Sequence, residues 1–397
     1  MSEHPESAQP DIAADIRARM VAWRRDIHAH PETAFEEHRT AQVIAEALTE
    51  MGLPAHRGLA GTGVVASLTN GDGPSIALRA DIDALDINEL GNPAYRSQRP
   101  GKMHACGHDG HTAMLLGAAA HLVRHKPFRG TVQFVFQPAE ENEGGGRRMV
   151  EEGLFDKFPA DAVYGMHNIP QIPRGKFAIK PGIMMSFFDT FEIVITGKGC
   201  HAATPEKGID SVVVSAQLVN ALQAIVSRRI GAMDAGVISV TQIHGGDTWN
   251  VVPETVVLRG TVRTLDGEIQ DEIEAAMRQT CAGMAQIHGA TIALDYQRRY
   301  PGVINTPAET DAAIAAAASL VGAALVQTDI KPAMGSEDFS FMLQKRPGAY
   351  ICIGAGEGKN DPPLHNPYYD FNDAILPMGA AYWVALVQQQ LPLAGRR

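Results

Sequence analysis

Apolar and polar positions alternate along the chain in two rhythms. Over 11–30, Ile12, Ile16, Met20, Trp23 and Ile27 recur at helical spacing, and a second amphipathic helix is predicted over 40–52, stopped by Gly52 and Pro54. Two strand-like runs follow, GVVASLT at 63–69 and SIALRAD at 75–81. Next come a helix of small residues at 109–124, an apolar strand TVQFVFQP at 131–138, a short helix at 147–155 and a strand AVYGMH at 162–167. Strands that are apolar almost throughout, separated by helices, predict a largely parallel sheet covered on both faces.

The rhythm changes near 186. FDTFEIVITGKG alternates as a half-buried strand does. A helix at 208–229, strands at 236–244 and 251–264, a helix at 267–288 and a strand at 291–299 complete the segment. This strand–helix–strand–strand–helix–strand order predicts a ferredoxin-like α+β unit. The mixed pattern then returns, with a helix at 309–322, a strand AYICIG at 349–354 and a final helix at 372–390. The expected fold class is therefore α/β. A mostly parallel-sheet catalytic domain is made of 1–185 and 301–397, with the second domain, 186–300, inserted between them.

Composition narrows the function. A chain of 397 residues with 45% hydrophobic and 20% charged residues is ordinary for two globular domains. The formal charge is −11 and no basic run occurs, which argues against a nucleic-acid partner. Four widely spaced cysteines without a CxxC pair fit reduced thiols in a cytoplasmic protein. The first twenty residues lack an apolar segment behind a basic start, and no stretch approaches the roughly 18 apolar residues of a membrane helix. No secretory leader and no membrane association are expected.

The densest chemistry lies in MHACGHDGH at 103–111. Cys106 and His108 precede a helix expected from Asp109, whose N-terminal end favours a thiolate. Thiolate and imidazole both suit zinc-like ions, although from this stretch alone a buried cysteine beside core histidines is the favoured reading. In QPAEENEGGG at 137–146, Glu140 and Glu141 directly follow a buried strand, where open α/β sheets bind ligands. Adjacent carboxylates can divide their work, one holding a metal and the other taking a proton from its water. A solvated acidic turn is the plainer alternative. His167 ends a predicted strand, and His365 sits in the proline-flanked loop PLHNP. Cys106, His108, Glu141, His167 and His365 all fall after strands of one sheet, and five such ligands would suit two divalent ions.

A longer series of motifs carries a resemblance. RADIDAL (79–85), HACGHDGHTAMLLGAA (104–119), FQPAEENEGGG (136–146), GMHN (165–168), GKGCHAATP (197–205), NVVPE (250–254), GTVRT (260–264), GSEDF (335–339) and PLHNP (363–367) occur in order. Together they resemble the M20 metallopeptidase superfamily. The nearest branch is the amidohydrolases: hippurate hydrolases, N-acyl-amino-acid amidohydrolases and plant auxin-conjugate hydrolases. The resemblance spans nearly the whole chain. It implies Cys106, His108, Glu141, His167 and His365 as ligands of two divalent ions per subunit, zinc or manganese, with cobalt or nickel also fitting. It implies Glu140 as general base. His201 is implied to reach a partner subunit's active site, with the inserted domain serving as lid and dimerisation module. Asn250 and Arg263 are implied near the substrate, where Arg263 can pair with a carboxylate. The implied activity is hydrolysis of small N-acyl amino acids, with a dipeptidase or aminopeptidase as the alternative.

Two positions depart from the wider superfamily. Asp81-x-Asp83 stands where most members carry His-x-Asp, and Asp86 stands where many relatives carry proline. Other residues keep plainer readings. His111 is expected to make a supporting hydrogen bond. His28 and His30 are expected to pack or cap near the first helix, and Cys200 to pack as a small apolar group. His104 is given no ligand role. Met184 and Met185 lie at the domain junction.

Overall fold

The computed structural model describes residues 10–141, 143–358 and 361–393. Asn142 of the acidic motif, and the start of the segment read as lacking a leader, lie outside these. The chain divides into two compact units. The first comprises Met1–Met184, Ile304–Lys331 and Asp338–Arg397, and the second Met185–Val303 and Pro332–Glu337.

In chain order the elements begin with α1 (Ala14–Ala29), α2 (His38–Glu50), β1 (Ala55–Leu59), β2 (Gly63–Asn70), β3 (Ser75–Asp81), α3 (His108–His125) and β4 (Gly130–Gln137). They continue with α4 (Gly145–Glu151), α5 (Leu154–Lys157), β5 (Ala162–Pro173), β6 (Phe177–Ala178), β7 (Gly182–Met185), β8 (Phe187–Thr196) and β9 (Cys200–His201). Next are α6 (Ser211–Arg228), β10 (Gly236–His244), β11 (Val251–Val252), β12 (Thr255–Thr264), α7 (Gly267–His288) and β13 (Thr291–Tyr300). The chain closes with β14 (Val303–Asn305), α8 (Pro307–Val321), β15 (Val326–Gln327), α9 (Ser340–Leu343), β16 (Gly348–Gly356) and α10 (Leu376–Gln390).

The first unit is built on an eight-stranded sheet in the order β1-β2-β4-β3-β5-β16-β6-β15. Its central strands β4, β3, β5 and β16 run parallel. β1 and β2 join antiparallel at one side. Consecutive residues of β3 and β4 are buried, so both faces of the centre are covered. The small residues of α3 have a packing reason. A Cβ at Gly117 would enter Met20 of α1, and one at Gly110 would enter Phe371. The helix is thus pressed into the core from several sides, and Ala113, Met114, Leu116 and Ala118 are all fully buried.

The second unit holds a four-stranded antiparallel sheet in the order β10-β12-β8-β13. β8 alternates between buried and half-buried residues, as expected for one face against a core and one face open. Ile193, Ile195 and Leu258 from the sheet pack with Leu218 and Leu222 of α6 and Met277 of α7.

Several expected boundaries move, each for a local reason. The strand expected over 251–264 is broken between Val252 and Thr255, where Pro253 offers no N–H to a ladder. β11 pairs instead with β9, a strand absent from the sequence reading. The helix expected at 147–155 breaks at Gly153, which adopts φ 88°. The helix expected from 208 begins at Ser211, where the Asp210 side chain accepts from Val212 N and Val213 N. β1 escaped notice because most of its residues are exposed or polar.

Candidate metal centre and active site

The loops after β3, β4, β5 and β16 leave the same end of a parallel array, the end where such sheets bind ligands. Cys106 and His108 lie just before and at the start of α3, both buried. Gly107 between them is left-handed at φ 96°, and a Cβ there would collide with the side chains of Asn168 and Tyr369. Only glycine lets the chain turn so sharply between thiol and imidazole. Glu140 and Glu141 follow Ala139, itself left-handed at φ 52°. The turn closes through Gly145 N donating to Ala139 O at 2.9 Å, and a Cβ at Gly145 would run into the Pro138 carbonyl oxygen. His365 also has a positive φ, 64°, and its N–H donates to Ala105 O at 2.8 Å. One expectation is corrected: His167 does not end its strand, because β5 runs on to Pro173.

These residues converge. The ligating atoms of Cys106, His108 and His167 lie within 4.8 Å of one another, as do those of Cys106, Glu141 and His365, and those of His108, Glu140 and Glu141. Cys106 is common to the first two sets. Its Sγ is 3.4 Å from His167 Nε2, and His365 Nε2 is 3.1 Å from Glu141 Oε1. Asp83 orients the centre from behind. Its Oδ1 is 3.1 Å from His108 Nδ1, and its Oδ2 accepts from Glu141 N at 2.9 Å. His167 Nδ1 donates to Asn168 O at 2.8 Å, which puts the acceptor lone pair on Nε2, facing Cys106.

The donor set fits divalent cations. His108 Nε2 is fully buried and has no hydrogen-bond partner among the described residues. A buried polar atom left so costs free energy unless something absent from the chain satisfies it. Sulfur, imidazole nitrogen and carboxylate oxygen in one pocket are the ligands of zinc-like ions.

Electrostatics correct one expectation. The start of α3 does not by itself stabilise a Cys106 thiolate: burial, followed by the Glu141 carboxylate, pushes the thiol above its usual value. Hydrogen bonds to Cys106 and Glu141 push His365 up to about 10. Burial, followed by His111, holds His167 well below the usual value, so its imidazole is neutral. Burial opposes a charge on His108 too, yet Asp81 and Cys106 overrule it and raise this histidine. Cation binding by such thiol and imidazole groups would release protons.

A buried framework backs the ligands. Arg79 donates to Asp81 Oδ2 (2.9 Å), Gln137 Oε1 (2.8 Å) and Asp338 Oδ1 (3.2 Å). His111 makes the expected supporting bonds, with Nδ1 2.5 Å from Asp81 and Nε2 accepting from Asn168 N at 3.0 Å. Of the two expectations for His28, packing holds: it sits buried between Asp109 (2.9 Å) and Glu89 (3.4 Å). Asp86 is exposed and pairs with Lys102 at 3.0 Å. The sequence reading gave no role to Arg79, Asn168, Glu37 or Asp338. RADID carried a signal for the first, since charges in an otherwise apolar strand need buried partners.

His201, Asn250 and Arg263 lie in the second unit. His201 is exposed on β9, opposite Val251 of β11, and Ala202 N donates to Asn250 O at 2.9 Å. Arg263 lies on β12 with its guanidinium 3.9 Å from the Phe188 ring centre. It donates to Ser336 Oγ at 2.9 Å. Burial lowers its pKa, and its other donors make no hydrogen bond among the described residues.

Residues 77–389 match the profile of Peptidase family M20/M25/M40. The chain is 37% identical over 383 residues to a hippurate hydrolase of Campylobacter jejuni, covering 96% of this chain and 99% of that one. It is 38% identical over 378 residues to an N-acetylcysteine deacetylase of Bacillus subtilis, covering 94% and 96%. The crystal structure of the Bacillus subtilis YXEP protein, a dinuclear metal-binding peptidase from the M20 family, superposes with a TM-score of 0.82 at 34% identity, covering 94% and 98%.

Proposed function

The chain belongs to peptidase family M20/M25/M40, and from that premise we propose that it hydrolyses N-acyl amino acids to a carboxylic acid and a free amino acid. Metal-dependent amide hydrolysis comes with the family and its amidohydrolase relatives. One observation supports metal-dependent chemistry here most directly: the ligating atoms of His108, Glu140 and Glu141 lie within 4.8 Å of one another, and His108 Nε2 makes no hydrogen bond among the described residues.

Cys106, His108, Glu141, His167 and His365 would hold two divalent ions, zinc or manganese in the first instance and cobalt or nickel as substitutes. When bound, such ions act as Lewis acids on a carbonyl and bring the acidity of water toward neutral pH. Glu140 draws a proton from the attacking water and returns it to the departing amine nitrogen. Arg263 offers its free donors to the amino-acid carboxylate, with Asn250 beside the substrate. His201 steadies the oxygen that gains charge, acting across a homodimer. The β8–β13 segment, with strand order β10-β12-β8-β13, supports a ferredoxin-like lid and dimerisation domain. No helix among the described residues is long and apolar enough to cross a membrane, in keeping with a cytoplasmic enzyme of small substrates.

The test is hydrolysis of hippurate and N-acetyl amino acids by the purified protein, after chelation and after re-addition of Mn²⁺ or Zn²⁺. Activity that disappears with the chelator and returns with metal is expected. Cleavage of free dipeptides with blocked amino acids left untouched would replace this reading with a dipeptidase.

A further inference from the structure

Glu37 is fully buried and occupies the N-cap position of α2, yet its side chain does not cap the helix. The capping is done from elsewhere. Glu32 accepts from Arg39 N at 3.2 Å and Thr40 N at 2.8 Å, satisfying the first turn of α2. The Glu37 carboxylate is therefore free to reach across the fold. Its Oε2 accepts from the Thr62 hydroxyl at 2.6 Å, and its Oε1 accepts from Ala139 N at 2.9 Å.

Ala139 is the left-handed residue immediately before Glu140. A non-glycine residue in that region costs free energy and persists only where its surroundings hold it. The Glu37 bond supplies such a hold. On the other side of Glu140, Asp83 accepts from Glu141 N at 2.9 Å. The Pro138–Ala139 and Glu140–Glu141 peptide groups, which flank Ala139 and Glu140, are thus each held by a buried carboxyl group from a different part of the chain.

We propose that Glu37 is a positioning residue for Glu140, clamping the Ala139 amide so that the base points at the reacting water. The inference rests on the reading of Glu140 as general base. It differs from a ligand role, because Glu37 touches the turn through Ala139, and the ligating side of Glu141 is anchored separately by Asp83. It also differs from a purely structural role, because the contact is made to a strained backbone one residue from the base. A shift of about 1 Å in a reacting group can cost on the order of 100-fold in rate.

The experiment compares Glu37→Ala, Glu37→Gln and Thr62→Val in the full-length protein reloaded with Mn²⁺. Readouts are kcat and KM on hippurate, bound metal per chain, and melting temperature. Glu37→Ala should lose about 10–100-fold in kcat with KM and metal content near wild type. Glu37→Gln keeps an oxygen for Ala139 N, and its amide can donate to the rotated Thr62 hydroxyl, so kcat should return to within about threefold. If Glu37→Ala fails to fold, Thr62→Val decides: it frees the carboxylate at Oε2 and should lower kcat by about 3–10-fold without metal loss. Unchanged kcat in the folded alanine variant, or in the valine variant where alanine does not fold, would overturn the proposal. So would metal loss in step with activity, or a glutamine variant as slow as alanine. Wild type and Glu140→Gln run alongside: a Glu140→Gln variant that keeps its activity overturns the base reading itself, whatever Glu37 does.

Discussion

Replacing Asp83 with asparagine isolates how the centre is oriented. Asp83 is buried and serves two donors with two oxygens, His108 Nδ1 at 3.1 Å and Glu141 N at 2.9 Å. Asparagine has only one oxygen to offer. If that oxygen faces Glu141 N, the amide NH₂ faces His108 Nδ1. The ring must then accept there and carry its proton on Nε2, the atom needed for a cation. If the oxygen faces His108, the NH₂ opposes the Glu141 N–H, and an unsatisfied buried donor costs about 1–3 kcal/mol. Loss of a partner behind a ligating histidine lowers metal affinity about 10–100-fold, or roughly 1.4–2.8 kcal/mol, so the two routes agree in size. The assay is Zn²⁺ titration of chelator-stripped protein against a chromogenic competitor, with circular dichroism to establish that the variant is folded. Glu37→Gln is the control, since it removes a nearby carboxyl group without touching His108 and should leave affinity unchanged. A folded Asp83→Asn protein that binds Zn²⁺ within threefold of wild type would refute the orientation argument.

Gly145→Ala should disrupt the turn that carries Glu140 and Glu141, because its Cβ meets the Pro138 carbonyl oxygen, a backbone atom that cannot swing away; measured metal content and activity should fall together. Arg263→Ala should raise KM for hippurate at least tenfold while leaving its uncharged amide almost unaffected, because only the free acid engages the guanidinium; equal losses on both substrates would remove the carboxylate role. Mixing His201→Ala with Glu140→Ala protein should restore part of the activity if His201 acts across a dimer, and no recovery despite demonstrated subunit exchange would place it elsewhere. Stability should also fall with rising pH through His28. Burial alone would lower this histidine, but bonds to Asp109 and Glu89 raise it to about 9. Its contribution is complete below the ordinary value of 6.5 and fades as pH rises through 9, with a size on the order of 3 kcal/mol. The melting temperature of metal-free protein should drop across that window, and His28→Gln should flatten the drop.

Periodicity by itself determined the alternation of strands and helices in the first unit, and the change of rhythm near 186, because side-chain burial repeats with the backbone geometry of each element. The ordered motifs determined the family, and within it the candidate ligands Cys106, His108, Glu141, His167 and His365. Their chemistry is local, since it resides in residue types at short spacings. Only the tertiary structure decided what aims them. That Asp83 turns His108 toward the ligand cluster, that Glu37 holds the turn before Glu140, and that Arg79 reaches Gln137 and Asp338 depends on pairs distant in the chain. The sign of the Cys106 shift was decided there as well: burial, followed by the Glu141 carboxylate, raises it. Spacing along a chain reports which groups are available. Desolvation and hydrogen-bond direction depend on which distant segments close around them, and that is settled only when the sheet brings its loops to one end.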